Sequence, residues 1–342
     1  GPSYSGDIEV AGATLTFSNN DEIHNNSDVI VSSGTLNFGT STDTINSLTI
    51  SGGTATGSSG TTTITSAMTV SSGTVSGKTF SAGSYALSGG TVSAVLAGSG
   101  DVTVSGDTTL NAINTFSGSV TVNSGAILRS DNGRGLGDTS GTTTVASGGS
   151  LHLYSASGTK SYGEDITISG TGISSSGALQ VTGSNSLTGT ITLGANSIIK
   201  SNTGASFTLA SAGSIDGSSG DYDLTLTGAG DFTLQGDTNL GDGGLTISST
   251  GSVSITGTLT LGSYATTSVA TINNNITTSS TQSYLAGADI GGTDNQNVTL
   301  TASSVTFGTR VSALGSDINL TVTGNMTTTG DFQSAPSATF GT

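Results

Sequence analysis

The chain has 342 residues, 54 of them Gly and none of them Cys, with only 8% charged and a formal net charge of −16 at pH 7. Without Cys there is no disulfide framework and no thiolate metal site, and singly scattered Lys78, Arg129, Arg134, Lys160, Lys200 and Arg310 exclude the clustered cations that a nucleic-acid partner requires. No apolar run reaches transmembrane length, and a charged fraction so far below the roughly 25% of ordinary globular chains leaves a stacked or a disordered polymer.

From the N-terminus, strands are predicted around Ile8–Val10, Thr14–Phe17, Val29–Val31, Leu36–Phe38 and Leu48–Ile50. Between them, Asn19-Asn20-Asp21-Glu22 and Asn25-Asn26-Ser27-Asp28 form polar turns, because Asn and Asp tolerate left-handed backbone and bond their own main chain. His24 lies there and reads as a surface turn residue, with no second His, Cys or acid pair at metal spacing.

One figure then recurs: strand, tight glycine turn, strand. It reads Val31-Ser32-Ser33-Gly34-Thr35-Leu36, then Val70-Ser71-Ser72-Gly73-Thr74-Val75, then Leu87-Ser88-Gly89-Gly90-Thr91-Val92. The turn glycines Gly12, Gly34, Gly53, Gly73 and Gly90 are spaced about 17 to 22 residues apart, which is one coil of a β-solenoid of about 20 residues. Apolar residues alternate strictly in Asp101-Val102-Thr103-Val104, Leu224-Thr225-Leu226-Thr227 and Ile318-Asn319-Leu320-Thr321-Val322. That period belongs to half-buried strands and argues against disorder. The threonines of Gly60 to Gly100 read as ladder residues between coils about 4.8 Å apart. Their Thr-x-Thr pairs are not expected to hold register from coil to coil, which argues against an ice-binding array.

An internal duplication follows. Gly98-Ser99-Gly100-Asp101-Val102-Thr103-Val104-Ser105-Gly106-Asp107 returns as Gly228-Ala229-Gly230-Asp231-Phe232-Thr233-Leu234-Gln235-Gly236-Asp237, with both Asp positions kept. The acids read mainly as turn caps. The denser set around them makes Asp221, Asp223, Asp237 and Asp242 the metal candidates, with calcium the ion an all-oxygen set would take. The glycine-rich calcium nonapeptide is absent, so no cofactor is otherwise expected.

The same acids on adjacent coils could serve a polysaccharide lyase or hydrolase, which needs converging carboxylates and a nearby cation. The nearest cations in sequence are Lys200 and Arg310, so no catalytic residue is predicted and the chain is not expected to be an enzyme. His152, between Leu151 and Leu153, is expected to point outward. Tyr85, Tyr154, Tyr162, Tyr222, Tyr264 and Tyr284 read as surface or corner residues. Ile198-Ile199-Lys200 breaks alternation and is read as a corner. Asn273-Asn274-Asn275 and Asn295-Gln296-Asn297 read as amide ladders at turns.

Two stretches resemble known families. Gly98 to Leu153, with NTFSGSVTVNSGAIL at its centre, resembles the passenger-associated repeat of bacterial autotransporters, matched by Asn114, Thr115, Phe116, Gly118, Val122, Asn123, Gly125 and Leu128. Thr271 to Thr342, with TQSYLAGADI, NVTLTASSVTFGTRV and INLTVTGNMTTTG, is similar to repeats of filamentous-haemagglutinin-type surface proteins. These resemblances imply an all-β, single-stranded, right-handed parallel β-helix on a bacterial surface. Gly1-Pro2 reads as a cloning scar, and residues 3–342 as one continuous β-solenoid segment excised from a larger protein.

The expected function is therefore a structural or adhesive rod segment, on the order of 80 Å long, of a large exported surface protein. Its expected partners are a host or neighbour-cell surface, a matrix glycan or like chains, with no nucleic acid and no transmembrane segment. A carbohydrate-active β-helix enzyme and a self-assembling surface-layer or fibre component are the alternatives.

Overall fold

Alternation gives every strand two unlike faces, and laying such strands coil upon coil buries one face and leaves the other in water. The computed structural model describes residues 6–291, 296–314 and 318–329, together with the backbone of Phe332–Gln333 and Thr339–Gly341. Strands make up 58% of it, paired in parallel into a β-solenoid with about 21 residues per turn. Among the described residues there is no α-helix, only a short 3-10 turn at Ile173–Ser175. The chain divides into two compact units, Gly1–Ala156 with Lys160–Thr167, and Ser157–Thr159 with Ile168–Thr342. Gly1-Pro2, Asn295 and the side chains of the C-terminal Ser337–Thr342 figure lie outside the described residues.

In the first unit one interior column runs in register through Val10, Val31, Ile50, Val70, Leu87, Val104, Val122 and Val145. All eight are buried, each side chain contributing roughly 1.5 to 3 kcal/mol by leaving water. Aromatic rings stack beside it, Phe17 on Phe38 at 6.1 Å and Phe38 on Phe80 at 5.7 Å, the latter edge-on.

The turns need glycine for two reasons at once. Gly53 has φ 66°, a left-handed conformation costly for other residues, and a Cβ there would be driven into the Gly34 carbonyl of the coil below.

On the outer face the Thr-x-Thr pair is not held from coil to coil, as expected, since the second position reads Thr16, Asn37, Thr56, Ser76, Ser93 and Asn111, but its first position forms a single file. Thr14, Thr35, Thr54, Thr74, Thr91 and Thr109 lie directly above one another through successive pairings. The single file keeps register through its middle because Gly34, Gly53, Gly73 and Gly90 each stand directly before their threonine.

In the second unit Ile199, Leu226 and Ile247 form one interior column, and Phe207 meets Phe232 edge-on at 6.2 Å. Tyr264, Tyr284 and Phe307 stack at 5.5 and 5.1 Å. Here and in the first unit the tyrosines depart from expectation: Tyr85, Tyr162, Tyr264 and Tyr284 are buried, while Tyr154 and Tyr222 stay partly exposed. A phenol fits inside when its hydroxyl finds a carbonyl, as Tyr85 does with the Phe80 and Ala97 carbonyls both within reach of its one proton, and Tyr162 by donating to Ser130.

Ile198-Ile199-Lys200 is also not a corner. It lies within Thr190–Ser201, Ile199 inward, and the chain changes face at the more exposed Gly194-Ala195-Asn196 just before it.

Each coil of the second unit between Leu224 and Ala313 contributes a strand to three stacked ladders. Two of them run on without interruption there. The third is broken: Val253–Ile255 pairs with Asp231–Leu234 below, Ala270–Ile272 with Ala288–Ile290 above, and the two do not pair with each other.

Candidate functional site

The first aspartate of the sequence duplication does the same job in both copies. Asp101 Oδ1 accepts the Ser119 N–H at 2.8 Å, and Asp231 Oδ1 accepts the Ser252 N–H at 2.8 Å. Each carboxylate thus caps an amide one coil further on, where a turn would otherwise leave that donor unpaired.

The four metal candidates are spent in the same way. Asp237 Oδ1 accepts the Thr258 N–H at 2.9 Å, and Asp223 accepts the Gly244 N–H at 2.7 Å and the Asn196 side-chain amide at 3.1 Å. Asp221 Oδ1 accepts the Asp242 N–H at 2.8 Å, and Asp242 Oδ1 accepts the Ser279 hydroxyl at 2.9 Å. Only Asp221 and Asp242 come together, on the rim of an open groove of about 470 Å³ floored by Thr260, Thr277 and Thr278. Asp223 and Asp237 do not line it. Among the described residues no three of His, Cys, Asp and Glu gather where they could hold a metal ion.

Charge also sits inside the coils. Lys78, 3% exposed, donates from Nζ to the Ser41 and Ser59 carbonyls and lies 5.9 Å from the Phe38 ring centroid. Burial holds its ammonium below the ordinary lysine range, against the pull of Asp43. Glu164, 3% exposed, accepts the Thr143 hydroxyl at 2.6 Å on Oε1 and has no partner on Oε2. Burial pushes its carboxyl up to about 7, outweighing the Thr143 bond.

Composition does not show these residues, but strand parity does. Lys78, Phe80 and Ala82 share a face, as do Glu164, Ile166 and Ile168, so the apolar members point the charged ones inward.

On the outer face of the first unit, Arg129 clamps Asp131 with Nε 2.5 Å from Oδ1 and stacks 3.7 Å from the Tyr154 ring centroid. His152 lies in register with Arg129 and points outward between buried Leu151 and Leu153, its ring edge-on to Tyr154 at 6.1 Å. Partial burial, then the neighbouring guanidinium, lowers its pKa. The cluster is internally paired and borders an uncharged hydroxyl face.

The amide runs bond across coils. Asn275 Oδ1 accepts the Thr299 N–H at 2.7 Å, Gln296 donates to the Asn273 carbonyl at 3.1 Å, and Asn319 donates to Asn297 Oδ1 at 2.9 Å. A second open groove, of about 450 Å³, lies where the third ladder breaks. No helix among the described residues is long and apolar enough to cross a membrane. No protein-family model matches the chain, and searches of curated proteins and of solved structures find no match.

Proposed function

We propose that the chain is the β-solenoid body of a large exported bacterial surface protein, an adhesive or scaffolding segment. Its contacts are a host or neighbour-cell surface, a matrix glycan or like chains. The observation that carries this reading is the assignment of side chains. Interior columns hold each coil to the next, and the acids that might have served catalysis cap the amides of the following coil instead. A stack of this kind lengthens by adding coils, so its natural product is a surface displayed at a distance.

The experiment is binding of the purified chain to glycan arrays and to bacterial and animal cells, with polysaccharide chain length followed in parallel. Binding without turnover supports the adhesive reading. Depolymerisation of any polysaccharide transfers the assignment to a carbohydrate-active enzyme.

The threonine column favours a second reading. Six threonines at a rung spacing of about 4.8 Å, flanked outward by Thr16, Asn37, Thr56, Ser76, Ser93 and Asn111, make an uncharged face of one hydroxyl file beside a mixed hydroxyl and amide file. The second reading is an ice-binding face. Thermal hysteresis that disappears in Thr54→Lys is its signature, and an ordinary freezing point at millimolar protein removes it.

A further inference from the structure

We infer that the break between Val253–Ile255 and Ala270–Ile272 is a subsite for a neutral glycan. The inference rests on the matrix-glycan reading above and gives it an address.

A strand in a parallel ladder sends half its backbone groups to each neighbour. At this break the upper edge of Val253–Ile255 and the lower edge of Ala270–Ile272 face each other without ladder bonds. One side-chain contact crosses nearby, from Asn274 Nδ2 to the Ile255 carbonyl at 3.5 Å. The connecting turns differ, Ser248–Ser252 on the lower coil against Thr267–Val269 on the upper, so the two strands are delivered out of phase. Val253, Ser254 and Ile255 are all only partly buried as a result.

The groove of about 450 Å³ over this break presents the hydroxyls of Ser252, Ser254, Ser268 and Thr271 beside Val269, which is 44% exposed. Asn273 reaches from the groove to a small cavity beneath it, and its buried Oδ1 has no partner. Tyr264, 3% exposed, lines that cavity and a second one, each about 10 Å³, and its hydroxyl makes no hydrogen bond among the described residues. Cavities of that size with polar walls hold single waters. The break therefore offers unspent donors and acceptors at two depths.

The occupant follows from the chemistry. An inserted peptide strand needs roughly 10 Å between its flanking strands, and these approach within 8 Å between Cα atoms. Among the described residues no cation lines the groove and its one carboxylate, Asp289, is paired with Arg310 at 3.0 Å, and the chain carries −16 overall. Uronic and sulfated polymers are therefore repelled. A neutral sugar ring supplies alternating hydroxyl donors and acceptors, with a C–H face for Val269.

The test is an amide-resolved NMR titration of the whole chain with the hexasaccharides of β-1,4-glucose, α-1,4-glucose, β-1,4-xylose and N-acetylglucosamine, against polygalacturonate and heparin. The expected result is that a neutral hexasaccharide moves the amides of residues 252–254 and 268–273. Thr271→Trp, which fills the groove, should weaken that binding at least tenfold. Val269→Asp, at the exposed rim, serves if the tryptophan variant does not fold. The proposal is overturned if no neutral hexasaccharide moves these amides, if the acidic polymers move them equally, or if binding survives the filled groove. Cell or array binding that persists in Thr271→Trp removes the groove and leaves the adhesive reading in place.

Discussion

Glu164 is a carboxyl held in surroundings that oppose its charge. Its carboxyl titrates near 7 in the fold against 4.5 in the open chain, because burial outweighs the single Thr143 hydroxyl bond and Asp165 adds like charge. A raised pKa means that the folded state holds the proton more tightly. Its stabilising share is complete below about pH 4.5, shrinks through the interval up to about 7, and is gone above. At 1.36 kcal/mol per unit the span is about 3 kcal/mol. Glu164→Gln should remove this dependence: a urea midpoint well above wild type at pH 8 and close to it at pH 4.5. Equal midpoints at pH 8 would refute the burial argument. Lys78 is the opposite case, a buried cation whose donors close the Ser41 and Ser59 carbonyls beside buried Asp43. Lys78→Met keeps the volume but leaves the Ser41 and Ser59 carbonyls without their donor, so a loss of about 2 kcal/mol is expected in the same assay. A neutral result would mean that water serves these carbonyls.

At the scale of the strand and turn, glycines with the same backbone angle separate conformational from steric cost. Gly53 (φ 66°) has the Gly34 carbonyl against its missing Cβ, whereas Gly125 (φ 78°) has nothing within 4 Å. Gly125→Ala should cost only the left-handed penalty, about 1 kcal/mol. Gly53→Ala should cost clearly more, because the coil below is backbone and cannot step aside. Equal losses in urea midpoint would show that the coils separate easily. These turns were legible in the sequence, since glycine spacing gave the coil length, and so were the valine and leucine columns, whose alternation admits one inward face. The duplicated aspartates were readable as caps for the same reason. Register between coils was not legible at threonine, which is nearly isosteric with valine and sits inside at Thr62, Thr108, Thr143 and Thr238 but outside at Thr54 and Thr74. Nor was the broken ladder, which depends on turns of unequal length acting between strands whose own patterns are ordinary. Buried Tyr85 and Tyr162 escaped because their burial is licensed by backbone carbonyls that only the fold brings within reach.

For the molecule as a whole the governing quantity is charge. With few charges and −16 net at pH 7, long-range repulsion rather than local ion pairs keeps copies apart. Arg129 with Asp131 and Arg310 with Asp289 are ion pairs among the described residues. That repulsion vanishes near the sequence pI of about 4.1. The hydroxyl columns do not titrate, and the cost of burying Glu164 falls in the same direction. Acid should therefore bring copies together while the coils stay folded, the reverse of ordinary acid unfolding. Light scattering with circular dichroism tests this: monomer at pH 7.5, association near pH 4 with the β signal intact, and return to monomer on neutralisation. Association already present at pH 7.5, growing with concentration, would instead favour the self-assembling layer or fibre, because attraction would then exceed the full repulsion. Loss of the β signal at pH 4 would show that the capping carboxylates, once protonated, matter more than the net charge. Asp231 and Asp237 in the repeated turns would be the first to replace with Asn, which keeps the accepting oxygen without the charge.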